Sequence, residues 1–263
     1  MSMVTPEPPS VQAATATVVP ARWPGRVARY VTIPGLLALA CLALYVYVSG
    51  QELDDIEARL LTQPRIVTAA IEHLQLTAMS TSLVILIAIP LGIMLTRPST
   101  RRVTPLFLGL ANAGQTVPSI GVLVLFALWF GIGFKYVIIA LVAYAILPVL
   151  RNTMVGLEQV DPFILEAGRG MGMTKLGVLA RLELPLAVPV ILAGVRTALI
   201  INVGTATLAT FVDGGGLGDI IQGGLTSNRP VVTLSGAVIT AAFALLLDWV
   251  AGIAEDVLRP KGL

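Results

Sequence analysis

Apolar residues in this chain are gathered into long runs, with short polar connections between them. The runs lie at 31–48, 78–96, 105–130, 136–150, 187–211 and 231–253. An α-helix needs about 20 apolar residues to cross the roughly 30 Å hydrocarbon layer of a bilayer. Five runs approach or reach that length, and 136–150 is the short one. None shows the period-2 alternation of a barrel strand. A segment inside lipid must also satisfy its own backbone hydrogen bonds, so the runs predict helices. The expectation is an all-α membrane protein of about six transmembrane helices.

The polar connections are of two kinds. Segment 51–65 carries Glu52, Asp54, Asp55 and Glu57 against Arg59 and Arg65, whereas 97–104 holds Arg97, Arg101 and Arg102 without an acid. Residues 66–77, with Glu72 and His73, read as an amphipathic lead-in to the second span. Placing the N-terminus in the cytoplasm puts Arg22, Arg26, Arg29, Arg97, Arg101, Arg102, Arg151, Arg169, Lys175, Arg181, Arg259 and Lys261 inside. Only Arg59, Arg65, Lys135 and Arg229 then lie outside. That excess is what the positive-inside rule asks for, so both termini and the 151–183 loop are expected in the cytoplasm of a multi-pass protein of the cell membrane. Residues 1–30 read as a disordered tail, 31–48 as a first helix, 66–253 as a core domain and 254–263 as a second tail.

Composition agrees. Hydrophobic residues make up 56% of the 263, charged residues 12%, and mean hydropathy is +0.88. That charged share is about half of a soluble domain's, too little to cover a water-facing surface. A net charge of +2 gives no reason to expect nucleic acid. One cysteine, Cys41, excludes an internal disulfide and any cysteine-based metal cluster. No paired carboxylate or triad stands out, and Asp219, Asp248 and Glu255 read as scattered across faces. No catalytic residue, metal site or cofactor is therefore assigned. The glycines at 214–218 lack the Gly-Lys-Ser/Thr of a phosphate loop, so they read as a flexible turn on the outer side.

The most informative polar stretch is 151–183. Asp161-Pro162 marks a helix start, with Asp161 as N-cap and Pro162 in the first position. A short helix through about Gly170, a turn at Gly172 and a second short helix at 175–182 follow. The run Glu166-Ala167-Gly168-Arg169-Gly170-Met171-Gly172, then nine residues, then Leu182-Glu183-Leu184-Pro185, resembles the EAA loop of ABC importer permeases. Two positions depart from that pattern, Gly168 for alanine and Leu182 for isoleucine. Glycine weakens a helix relative to alanine, so a slightly loosened version of the loop is expected.

The resemblance extends to Gln115-Thr116-Val117-Pro118-Ser119, to 147–153, to 169–174 and to 203–208, and these look like the glycine betaine/choline (osmoprotectant) branch. It covers roughly 70–252. It implies the type I importer permease fold, with Glu166, Ala167, Gly168, Gly172, Leu184 and Pro185 in a cytoplasmic ATPase-coupling loop spanning 151–185. It further implies a second permease subunit, an ABC ATPase that binds ATP and Mg, and an extracytoplasmic solute-binding protein. Such a chain is a transport subunit and not itself an enzyme. Methionine and taurine permeases share this kind of loop, so another small solute is the alternative cargo. An ion-coupled carrier is the more distant alternative, and no inverted internal repeat supports it.

Inside the spans, Pro118 breaks the third run where Gln115, Thr116 and Ser119 offer polar groups, which suits a pathway lining. Arg196 and Asn202 are candidates for the same lining. For Arg196 the competing reading is structural, by pairing with Asp248 or by snorkelling. His73 reads as structural. Trp129, Phe130, Phe134 and Tyr136 gather near the outer interface, where an aromatic belt accounts for them.

Overall fold

The computed structural model describes residues 26–100 and 102–258, with the side chains of 26–29 left aside. The expected tail before Arg26, Arg101, and the stretch after Leu258 lie outside the described residues. Among those described, the chain folds into helices: α1 (Arg26–Ser49), α2 (Asp55–Leu60), α3 (Gln63–Leu95), α4 (Thr104–Thr116), α5 (Ser119–Phe130), α6 (Phe134–Glu158), α7 (Pro162–Gly170), α8 (Lys175–Val178), α9 (Leu184–Ala206), α10 (Gly218–Thr226) and α11 (Pro230–Leu258). Five are long and apolar enough to span a membrane, and the α4–α5 pair makes a sixth candidate bent by 103°.

Several boundaries move from the expectation, each for a physical reason. The lead-in at 66–77 is not separate, because it forms part of the first half of α3, with His73, Leu76 and Thr77 buried. The short fourth run becomes the 25-residue α6. Hydropathy drops at Arg151, but the helix continues because Thr153, Met154, Gly156 and Leu157 are buried against its neighbours. α1 begins at Arg26, within the stretch expected as tail, and α11 runs on to Leu258 past residue 254.

α3, α6 and α9 form the centre. Val84, Ala88 and Leu95 of α3, Ala145, Val149, Leu150 and Met154 of α6, and Ala198 of α9 share one core. Small residues allow the close approach that membrane helices need. A Cβ at Gly194 of α9 would stand 2.6 Å from Asn152 and 2.8 Å from the Pro148 carbonyl of α6.

Contacts at the two ends fix the topology. Tyr30 Oη donates to Asp256 at 2.6 Å, so the start of α1 and the end of α11 meet at one end of the bundle. At the other end Arg229 pairs with Asp54 at 2.6 Å, tying the α10–α11 corner to the N-cap of α2. The 214–218 glycines lie at this second end and are not a loose turn. Gly216 N donates to Glu72 at 3.0 Å, and a Cβ at Gly218 would run into the Thr207 carbonyl at 2.0 Å. Asp213, just before them, is left-handed at φ 57°, a conformation that Asp enters more readily than an apolar residue does.

Candidate functional site

The 161–185 segment is built from local stop and start signals. Asp161 accepts from Phe163 N at 2.9 Å and Pro162 occupies the first turn of α7, as the sequence predicts. α7 closes with a Schellman arrangement: Met173 N donates to Gly168 O (3.1 Å) and Gly172 N to Arg169 O (2.9 Å). Gly172 holds φ +82°, the left-handed setting this closure requires. Thr174 then caps α8, accepting from Gly177 N at 3.2 Å.

The second short helix does not end at 182. α8 passes through a π turn, Leu179–Glu183, directly into α9. Pro185 has no N–H for the carbonyl four residues back and its ring crowds that turn, and a single wider turn accommodates it. Leu184 N accordingly reaches Leu179 O. The segment is thus continuous with a core helix at one end.

Gly168 is buried, and a Cβ there would meet Leu182 Cδ1 at 2.6 Å and Met173 Sδ at 3.3 Å. The two departures from the family pattern therefore pack against each other, which tightens the loop where loosening was expected. The opposite side is open. Glu166, Ala167 and Gly172 are exposed, as are the apolar side chains of Phe163 (78%), Met171 (75%) and Leu176 (77%). Leu184 and Pro185 are half-buried in the first turn of α9. Apolar side chains standing out of a capped, braced helix form the sort of surface that another protein covers.

Glu183, within the motif, is 5% exposed and accepts from Arg97 at 2.6 and 3.3 Å. Sequence reading used Arg97 only as a count toward orientation. The two lie 86 residues apart, and no local signal joins them.

The third span breaks at Val117-Pro118, whose ψ angles of 133° and 136° are extended. A residue before proline is pushed out of helical geometry, and proline donates no N–H. Gln115 Nε2 bonds to the Tyr144 carbonyl of α6 at 3.2 Å, while Thr116 and Pro118 are exposed and Ser119 is half-buried at the start of α5. These four sit together at one bend. Arg196 and Asn202 sit elsewhere. Arg196 makes a two-pronged pair with Asp248 (2.6 and 2.8 Å) and reaches Glu255 at 3.5 Å. Asp248 and Glu255, expected to be scattered, thus share one face of α11. Asn202 is fully buried and donates to Thr81 of α3 at 3.1 Å. It faces a neighbouring helix and no open space.

His73 is also fully buried, its Nε2 donating to Val203 O at 3.1 Å and its ring edge-on to Phe243. Around the α5–α6 turn, Trp129 (72%) and Phe130 (52%) are exposed, and Lys135 Nζ lies 4.6 Å from the Tyr136 ring. Among the described residues no group of three or more His, Cys, Asp or Glu side chains is placed to hold a metal ion.

Residues 88–260 match the family of binding-protein-dependent transport system inner membrane components. The chain belongs to that family. The choline transport system permease protein OpuBB of Bacillus subtilis is 42% identical over 192 residues, 73% of this chain and 88% of the relative. The glycine betaine/carnitine/choline permease protein OpuCB of the same organism is 41% identical over the same shares. The osmoprotectant import permease protein OsmY of Salmonella typhimurium is 38% identical, over 81% of this chain and 88% of that one. Among solved structures, an inward-facing MetNI methionine ABC transporter superposes with a TM-score of 0.63 at 24% identity, covering 76% of this permease and 98% of that chain. An amino acid ABC transporter gives 0.59 at 19%, covering 79% and 99%. These two share the type I importer permease fold.

Proposed function

We propose that this permease carries a quaternary ammonium compatible solute, such as choline, glycine betaine or carnitine, into the cell at the expense of ATP bound and hydrolysed by a separate subunit. The observation that carries the reading is the 161–185 segment. It is fixed to the core through the π turn, Gly168 and Glu183, and presents Phe163, Met171, Leu176 and Glu166 outward. A rigid protrusion continuous with a core helix converts movement of a docked partner into movement of the bundle. The partner at this face is an ABC ATPase, and the end bearing the segment and Tyr30–Asp256 is cytoplasmic. At the opposite end an extracytoplasmic binding protein delivers solute, and two permease subunits enclose the pathway, with Gln115, Thr116, Pro118 and Ser119 at the bend facing it. The chain itself contributes no catalytic residue. The cargo follows from the relatives, whose names give choline, glycine betaine and carnitine.

The test is uptake of labelled choline, glycine betaine, carnitine and methionine into proteoliposomes containing the permease with its ATPase and binding protein. ATP-dependent uptake of a quaternary ammonium solute is expected, lost in Glu166→Lys. Methionine uptake without uptake of the others would replace the cargo. Undiminished ATP-dependent uptake by Glu166→Lys would refute the docking role.

A further inference from the structure

Arg97 sits in the turn between α3 and α4. Its Nε donates to the Ile93 carbonyl of its own helix at 3.2 Å, and both Nη atoms reach the Glu183 carboxylate. The guanidinium is thus fixed at its root and aimed at one acceptor. A carboxylate as buried as Glu183 is costly without such a partner, so separating the two groups is strongly disfavoured.

The far side of the turn is braced as one piece. Thr100 Oγ1 donates to Arg97 O at 3.0 Å, and Thr104 Oγ1, at the start of α4, to Leu95 O at 2.9 Å. α4 itself has no buried residue. It is held by one partly buried side chain, Leu108, against the core and by two bonds to α6, Arg151 to Asn112 at 3.0 Å and Gln115 to the Tyr144 carbonyl. A helix anchored firmly at its turn and lightly along its length travels with the turn.

We propose that Arg97 is a positioning residue that carries movement of the 161–185 segment, through Glu183, to the broken span α4–α5. Displacement of the docking segment then resets the bend at Val117-Pro118. This rests on reading 161–185 as the ATPase contact.

The experiment uses the assembled transporter in proteoliposomes. Cys41 is replaced by serine and Gly114→Cys serves as reporter, since a Cβ at Gly114 enters open space. A water-soluble maleimide is applied with and without ATP and vanadate. In the parent, nucleotide is expected to change the labelling rate. In Arg97→Gln the ATPase still copurifies and hydrolyses ATP, the nucleotide response at position 114 disappears, and solute moved per ATP falls at least about fivefold, the lower bound of ordinary coupling energies. The swapped pair Arg97→Glu/Glu183→Arg restores both. A plain structural staple would lower stability without changing solute moved per ATP. Full nucleotide response and full coupling in Arg97→Gln would overturn the proposal. So would no response in the parent, or a swapped pair that assembles without recovering coupling. Absence of ATPase from the parent complex would instead overturn the docking role itself.

Discussion

Leu182 fills the space that a side chain at Gly168 would need, its Cδ1 lying 2.6 Å from where that Cβ would stand. Helix propensity alone favours alanine at position 168 by roughly 0.5–1 kcal/mol. Overpacking costs about 1–3 kcal/mol, and the obstructing atom is the tip of a side chain, so the lower figure applies. Gly168→Ala is expected to lower the unfolding midpoint of the purified permease slightly. Gly168→Ala/Leu182→Val should raise it above wild type by releasing the clash and keeping the propensity gain. Thermal unfolding in detergent of both singles and the double reads this out.

Gly172 presents the opposite case, with open space around it and a φ of +82°. A substitution there is penalised by the backbone alone, about 1–2 kcal/mol for an ordinary L-residue and less for asparagine, which enters the left-handed region more readily. Gly172→Asn should keep most ATP-dependent uptake and Gly172→Val should lose it, because valine is β-branched. Equal uptake by the two variants would show that the Schellman closure is not needed for coupling.

These two glycines also show what was legible in the sequence. The 161–185 segment is organised by local signals, such as Asp161-Pro162 and the turn at Gly172, and local signals survive in one dimension. The bend at Pro118 was legible for the same reason. The second half of α6 was not, because Thr153, Gly156 and Leu157 lie among polar residues and are buried by elements distant in sequence, α3 and α9 among them. Pairs formed across the bundle were hidden as well. Glu183 and Arg97 are 86 residues apart, and Glu255 becomes a neighbour of Arg196 only when α11 packs on α9, whereas the pairing of Arg196 with Asp248 was already one of the readings the sequence offered.

The Arg196–Asp248 pair joins the two long apolar helices α9 and α11, with each side chain about a quarter exposed. Removing one partner of a buried pair costs about 3–5 kcal/mol, whereas replacing both with apolar residues can be neutral. Asp248→Leu should therefore reduce folded yield sharply, and Arg196→Met/Asp248→Leu should recover part of it. Recovery stays incomplete because Glu255 then loses its share of the guanidinium. Double-mutant analysis of yield and unfolding midpoint gives the coupling between the two positions.

At the other end of the bundle, Asp54 lies outside the spanning helices and its carboxyl is held below the usual aspartate value of 3.8. The backbone N–H of Glu57 is the main cause, with Arg229 and the N–H of Ile56 adding to it. A depressed folded value means that the contribution is fully present above the unfolded pKa and is lost as pH falls through the folded one. Between neutral pH and about 4 the N-cap and the tie to Arg229 should therefore hold, loosening only in stronger acid. Asp54→Asn can still accept from the Glu57 and Ile56 N–H groups but carries no charge for Arg229. Its unfolding midpoint should be lower at neutral pH and should converge on that of wild type in acid, as pH falls through the depressed value of the folded carboxyl. A gap of constant size across that range would assign the stabilisation to packing of the α2 corner, with no part for the charge.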